Sequence, residues 1–100
     1  MDNLPLVSVI MPVRNEVAYI ARSLGAVLAQ DYPADCLEIL VIDGLSTDGT
    51  REFVTEAQAA HPTLRLIDNP RHIVPPGLNI GIAQARGDVI VRVDGHCEIA

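Results

Sequence analysis

Residues 38–50, EILVIDGLSTDGT, are the stretch on which the reading of the fold turns. Ile39-Leu40-Val41-Ile42 is an unbroken apolar run with no polar alternation, as required of a strand covered on both faces in a mainly parallel sheet. It stops at Asp43-Gly44, and Ser46, Thr47 and Asp48 then offer side-chain oxygens suited to capping a helix that begins near Thr47. A carboxylate, Asp43, therefore stands where a buried strand hands over to a helix. In open α/β sheets, ligands bind outside the carboxyl ends of the strands.

Working outward from that strand, Leu6 to Met11 is apolar and β-branched, and Pro12 with the polar residues after it is expected to end a first strand. Asn15 is placed to cap the next element. Val17, Ile20, Ala21, Leu24, Val27 and Leu28 recur at helical spacing, which predicts an amphipathic helix over Glu16 to Gln30. On the other side, Thr47 to about Ala60 reads as a second helix burying Phe53, Val54 and Ala57, and Leu64 to Ile67 as a short strand. Pro76 suits the first position of a third helix whose stripe is Leu78, Ile82 and Ala85, weakened by Gly77 and Gly81 and stopped at Gly87. Asp88 to Val93 is a fourth strand that runs into Asp94-Gly95-His96-Cys97-Glu98.

The order βαβαβαβ with right-handed crossovers predicts a doubly wound α/β fold: a mainly parallel, Rossmann-like four-stranded sheet in the order 3-2-1-4. No repeat, low-complexity tract or linker interrupts it. The fourth strand is of buried type with nothing after it to cover its edge, so the chain is expected to be the first part of a larger domain and to self-associate through residues 88–93.

Composition narrows the function classes. One hundred residues with 49% hydrophobic and 20% charged make a globular chain with a small core. A formal net charge of −6, with only seven scattered basic residues, speaks against a nucleic-acid surface. A phosphate-bearing ligand at an acidic site needs an inserted positive charge, for which a divalent cation is the obvious source. No apolar run has the length of a membrane span and MDNLPLVSV has no basic leader region, so a soluble, unprocessed chain is expected. Cys36 precedes the second strand and Cys97 follows a parallel one, on the order of 20 Å apart at about 3.3 Å per residue. Two free thiols fit a reducing compartment, the cytoplasm.

Three strand exits converge on one rim: Pro12 to Glu16, Asp43 to Asp48, and Asp94 to Glu98. Asp94 and His96 are two apart, which in extended chain aims both side chains the same way, so one cation can take both. Carboxylate plus imidazole suits Mn²⁺ somewhat better than Mg²⁺, and both stay open. The competing reading of Asp94-Gly95 is a simple turn.

The runs VSVIMPVRNE, LEILVIDGLSTDGT and NIGIAQARGDVIVRVDGH, in that order, resemble family 2 glycosyltransferases of the GT-A fold, nearest to bacterial exopolysaccharide enzymes of the succinoglycan-biosynthesis type. The resemblance implies the nucleotide-sugar-binding half of an inverting enzyme that takes a nucleotide-diphospho-sugar donor, expected to be UDP-linked. It implies a divalent metal and a saccharide or lipid-linked acceptor. It also implies that the Pro-x-x-Asn-Glu exit cradles the base, that Asp43 binds base or ribose, and that an Asp-x-Asp pair holds the metal. This chain has Asp94-Gly95-His96 instead, so His96 is read as a substitute ligand, with a solvated surface histidine as the alternative. The expected nucleotide-binding set is thus Pro12, Arg14, Asn15, Glu16, Asp43, Ser46, Asp48, Arg71, Arg86 and Asp94, with Asp94 and His96 on the metal. Arg14 is placed to stack on a base or to be solvated; Arg71 and Arg86 are placed to reach a diphosphate, with Arg86 equally readable as a charge near a helix C-terminus. The family's catalytic base lies downstream, as would any segment holding the full-length protein at the cytoplasmic face of the inner membrane.

Two other classes share the architecture. A dinucleotide-binding oxidoreductase needs G-x-G-x-x-G after the first strand, and Met11 to Glu16 has no glycine. A flavodoxin-like receiver domain with Asp43 as phosphoacceptor needs an acidic pair after that strand, where only Glu16 is found.

Overall fold

The computed structural model describes residues 4–29, 32–71 and 74–93. The elements are β1 (Val7–Val13), α1 (Val17–Leu28), a 3₁₀ turn (Ala34–Cys36), β2 (Leu37–Asp43), α2 (Thr50–Ala60), β3 (Leu64–Asp68), α3 (Val74–Gln84) and β4 (Val89–Arg92). The four strands form one parallel sheet in the predicted order β3-β2-β1-β4. Among the described residues, no helix is long and apolar enough to cross a membrane.

The period of two along each strand divides the core between two faces. Val9, Met11 and Val13 of β1 and Ile39 and Val41 of β2 pack with Ile20, Leu24 and Val27 of α1, Val54 of α2 and Leu64 of β3. Ile10, Leu40 and Ile42 point the other way, where Ile80 and Ala85 pack on them. Ile39, Leu40 and Val41 are each 0% exposed, so the apolar run of β2 is covered on both sides, as its composition demanded. Each such side chain contributes about 1.5–3 kcal/mol relative to exposure.

Several element details depart from the sequence-based expectation. β1 does not end at Met11 but runs through Pro12 to Val13, paired with Ile42 and Asp43. The alternation explains why proline is tolerated: Val13 accepts from Gly44 on the β2 side and Ile10 accepts from Val93 on the β4 side, so the missing N–H of Pro12 falls on the β4 side, beyond the end of that strand. α1 starts at Val17 and buries Ser23, whose hydroxyl donates back to the Tyr19 carbonyl, while Val17 and Ala21 are exposed. α2 starts at Thr50, not Thr47, and Phe53 is 36% exposed.

α3 begins at Val74, so Pro76 is its third residue, and Ile82 is 54% exposed rather than part of a buried stripe. The face that meets the sheet is set by Gly81. A Cβ there would stand 2.7 Å from Cγ2 of Ile10, so α3 approaches β1 at a distance only glycine permits. Gly81 is a packing contact rather than a weakness. Cys36 is a free thiol; Cys97 lies outside the described residues.

Candidate functional site

The parallel register sets Val13 beside Asp43 and Asp43 beside Asp68, so three strands end level at one rim. Backbone bonds close the exits: the Gly44 N–H donates to the Val13 carbonyl at 2.8 Å and the Asn69 N–H to the Asp43 carbonyl at 2.7 Å. Beyond β2 the chain turns sharply, with Leu45 at φ 58° in the left-handed region.

Asp43 organises that turn. Its side chain is 0% exposed; Oδ1 accepts the Ser46 hydroxyl at 2.5 Å, and Oδ2 accepts the Ser46 N–H at 2.9 Å and Nη1 of Arg51 at 2.8 Å. The same Nη1 donates to Oδ1 of Asp68 at 2.7 Å. Hydrogen bonds to Asp43 and then Asp68 raise the affinity of the guanidinium for its proton, so Arg51 is a fixed positive charge between two acids.

The β1–α1 and β2–α2 loops are stitched together side chain to backbone. The Asn15 N–H donates to Ser46 Oγ at 2.8 Å, and the Thr47 N–H donates to Asn15 Oδ1 at 2.8 Å. The Glu16 N–H donates to Thr50 Oγ1 at 2.9 Å, and Nε of Arg14 to the Gly44 carbonyl at 3.1 Å. Asn15 therefore does not cap its own helix; at φ 51° it reaches across to the neighbouring loop. Asp48 does the capping for both helices. Its Oδ2 accepts the Val17 N–H at 3.1 Å and its Oδ1 the Thr50 N–H at 3.1 Å and the Thr50 hydroxyl at 2.5 Å. The Thr50 hydroxyl, against some burial and with help from those N–H groups, holds the Asp48 carboxyl below its ordinary range. The amino ends of α1 and α2 thus face one rim, where their dipoles favour negative charge.

The expected residues divide by place. Pro12 and Asp43, at the ends of β1 and β2, and Arg14, Asn15, Glu16, Ser46 and Asp48, in the loops that follow, are gathered at this rim. Arg71 is exposed just past β3, its N–H donating to Asn69 Oδ1 at 3.2 Å. Arg86 requires correction: its N–H donates to Oε2 of Glu38 at 2.5 Å, and Glu38 lies at the amino end of β2. That is five residues, or about 16 Å at roughly 3.3 Å per residue, from Asp43. The loop between α3 and β4 lies at the opposite rim, as every helix-to-strand connection must in this topology. Asp94 and His96, the expected metal ligands, lie outside the described residues; among the described residues no cluster of three metal-ligating side chains occurs.

Sequence reasoning passed over Arg51, Asp68, Asn69 and Thr50. Asp68 carries a readable signal, since it ends a strand parallel to the one ending at Asp43. Arg51 carries none, because a basic residue in the first turn of a helix reads as an ordinary solvated charge. The rim's two buried hydroxyls, those of Ser46 and Thr50, donate to Asp43 and Asp48 and accept the Asn15 and Glu16 N–H groups, so they are engaged in holding the loops. The rim's loop N–H groups are taken up by side chains of the same loops, and Arg14 and Arg71 stand exposed around them.

Comparison with known proteins agrees. Residues 8–100 match the family described as Glycosyl transferase family 2. Glycosyltransferase AglE of Haloferax volcanii is 40% identical over 97 residues, covering 96% of this chain and 32% of AglE. The succinoglycan biosynthesis protein ExoA of Rhizobium meliloti is 29% identical over 90 residues, 88% of this chain and 27% of ExoA. The mannosyltransferase PcManGT from Pyrobaculum calidifontis, solved in complex with GDP-Man and Mn²⁺, superposes with a TM-score of 0.86 at 36% identity, covering 94% of this chain and 28% of that one. The chain thus spans about a third of the length of the relatives it matches, and its sheet has the GT-A arrangement. It belongs to glycosyl transferase family 2.

Proposed function

We propose that this chain is the nucleotide-sugar-binding half of a glycosyltransferase that transfers a sugar, with inversion, from a nucleoside-diphosphate donor to an acceptor hydroxyl in polysaccharide or glycolipid synthesis. The observation that carries the reading is the paired exit of β1 and β2, locked by Asn15, Ser46 and Asp48 in a member of this family. The base and ribose lie against the Pro12 to Glu16 exit, with the Arg14 guanidinium plane beside the base. Asp43 acts on the base indirectly, because its side chain is buried and accepts from Ser46 and Arg51; it holds the loop that holds the ligand. Arg71, exposed past β3, faces the diphosphate side.

Asp94 and His96 are a carboxylate and an imidazole, a donor pair suited to Mn²⁺ or Mg²⁺. That cation, when bound, neutralises charge developing on the departing nucleoside diphosphate. The catalytic base and acceptor pocket belong to the remainder of the protein, and the reaction is placed in the cytoplasm. The family match disfavours both the oxidoreductase and receiver readings, and the buried, fully engaged Asp43 is no phosphoacceptor.

Calorimetry with UDP and with GDP, each with Mn²⁺ and in EDTA, tests the reading. Binding of one nucleotide that disappears in EDTA is expected, and equal affinity in EDTA refutes the metal. Asp94→Ala should weaken the diphosphate and spare the nucleoside, whereas Asp43→Ala should weaken both. The strand edge supplies a partner proposal. Val89, Ile90 and Val91 are 44%, 46% and 41% exposed on β4, so the isolated chain should pair through residues 88–93 with a second copy. Sedimentation at micromolar concentration should show a dimer that Val91→Pro abolishes; a monomer refutes it.

A further inference from the structure

Among the described aspartates at the carboxyl rim, Asp43 and Asp48 are committed to the chain itself. Asp43 is buried and accepts from Ser46 and Arg51, and Asp48 takes the N–H groups of Val17 and Thr50. Asp68 differs. Its side chain is 59% exposed, Oδ1 accepts Nη1 of Arg51 at 2.7 Å, and Oδ2 accepts from no described residue.

An exposed ion pair adds little to stability, and ordering an exposed side chain costs rotamer entropy. What the pair supplies is direction. The same Nη1 donates to the buried Asp43 at 2.8 Å, so the guanidinium is anchored from inside the fold and holds Asp68 in one orientation with an acceptor left over.

That acceptor stands beside the place proposed for the base. Asp68 pairs in register with Asp43, and Gly44, the next residue of that chain segment, accepts Nε of Arg14 at 3.1 Å. The Arg14 plane therefore lies at the exit of β2, and Asp68 at the exit of β3, one strand spacing or about 4.8 Å to the side. A base lying on that plane, with its ribose against the β1 exit, brings to β3 the edge remote from its glycosidic bond. That edge carries N3 of a pyrimidine or N1 of a purine. A carboxylate only accepts. Uracil N3–H and guanine N1–H donate to it, whereas cytosine N3 and adenine N1 present a lone pair there and offer their amino groups only by sliding off the Arg14 plane.

We infer that Asp68, with Arg51 as its positioning residue, selects the base of the donor: the site takes a nucleotide whose base carries an imino N–H and turns away cytosine and adenine. The inference rests on the proposed function, which brings a nucleotide to this rim. Ring size is decided elsewhere.

Calorimetry on the full-length protein with Mn²⁺ tests it by comparing UDP with CDP and GDP with ADP, ring size being constant within each pair. In the pair that binds, the imino base should be favoured about tenfold, as one hydrogen bond to a charged acceptor predicts. Asp68→Asn keeps the size and an oxygen for Arg51 but turns an NH₂ toward the base, so the preference should vanish or invert while the midpoint of denaturant unfolding holds. Arg51→Lys replaces the planar fork with a flexible ammonium and should lower the preference about threefold. Wild-type protein that binds both members of each pair equally overturns the inference and leaves the proposed function standing. So does an Asp68→Asn variant that weakens both members alike, which is what a purely structural carboxylate would give. Wild-type protein that binds none of the four refutes the proposed function, and this inference with it.

Discussion

At the carboxyl ends of the strands, side chains from one loop hold the backbone of another: Ser46 and Thr50 accept N–H groups of Asn15 and Glu16, and Asp48 accepts those of Val17 and Thr50. Around this inner layer stand Arg14, Asp68 and Arg71, exposed and only partly engaged. At the amino ends, Ser8 and Glu38 hold the backbone of a single connection, Arg86–Gly87. One rim keeps binding groups in reserve for something from solution, and the other uses its buried oxygens on the chain itself. Such a polarity is what a sheet with a ligand at one end should show.

The sharpest way to break this contrast is to remove Asp43. Asp43→Ala removes both bonds that Ser46 donates, leaving Ser46 only the N–H it accepts from Asn15, and leaves Arg51 with Asp68, so a loss of about 3 kcal/mol is expected by denaturant titration. A loss below about 1 kcal/mol would mean that Arg51 and Ser46 find water as readily as they found the carboxylate. Thr50→Val is a smaller cut at the same rim. It keeps the shape of a wholly buried side chain while orphaning the Glu16 N–H and one bond to Asp48, and should cost about 1–2 kcal/mol.

How far this contrast was legible beforehand depends on the kind of signal. Strand identity and order were legible, because short apolar runs bounded by turn residues mark strands whether they are covered on both faces, as Ile39 to Ile42 are, or exposed at the end of the sheet, as Val89 to Val91 are. Which face of a helix is buried was less so. Ser23 is buried with its hydroxyl bonded within the helix, and Ile82 is exposed because the contact face runs through Gly81 and Ala85, so of the expected stripe Ala85 meets the sheet and Ile82 does not. The rim loops were legible as a group but not in their wiring: Asn15 and Asp48 are both plausible helix caps by residue type, and only the fold shows that Asp48 serves two helices and Asn15 neither. Arg86 was misplaced because distance along the chain says nothing about which rim a loop occupies until the handover from helix to strand is assigned its direction.

The amino rim should reveal itself through pH. Burial opposes ionisation of Glu38, but the Arg86 N–H, the Ser8 hydroxyl and the Arg86 charge outweigh it and hold the carboxyl below its ordinary range. A folded value below the unfolded one means that the stabilisation is complete above about pH 4.3, the ordinary glutamate value, and is lost as pH falls through the folded value. Unfolding free energy measured between pH 5 and about pH 3 should therefore fall less steeply in Glu38→Gln than in wild type. Parallel slopes would place the acid sensitivity elsewhere, with Asp48 the next group to substitute, since its carboxyl is shifted in the same direction.

The smallest expected effect on stability is also the one that best separates the two rims. Arg14 is exposed, and among the described residues its one side-chain bond runs from Nε to the Gly44 carbonyl at 3.1 Å, so Arg14→Ala should change stability by less than about 0.5 kcal/mol. Its effect on a ligand should be larger, because that one bond fixes the guanidinium plane at the β1 exit, where the proposed base lies. Loss of such a plane from a base is expected to weaken nucleoside binding about tenfold. Arg14→Lys should not recover it, since an ammonium keeps the charge but not the plane or the Nε donor. A substitution at the amino rim should do the reverse, moving amide hydrogen exchange in β4 with little change in nucleoside affinity. If Arg14→Ala left nucleoside affinity intact, the exposed outer layer of the carboxyl rim would be solvated surface, and the ligand's contacts would have to come from the inner layer of Asn15, Ser46 and Asp48 instead.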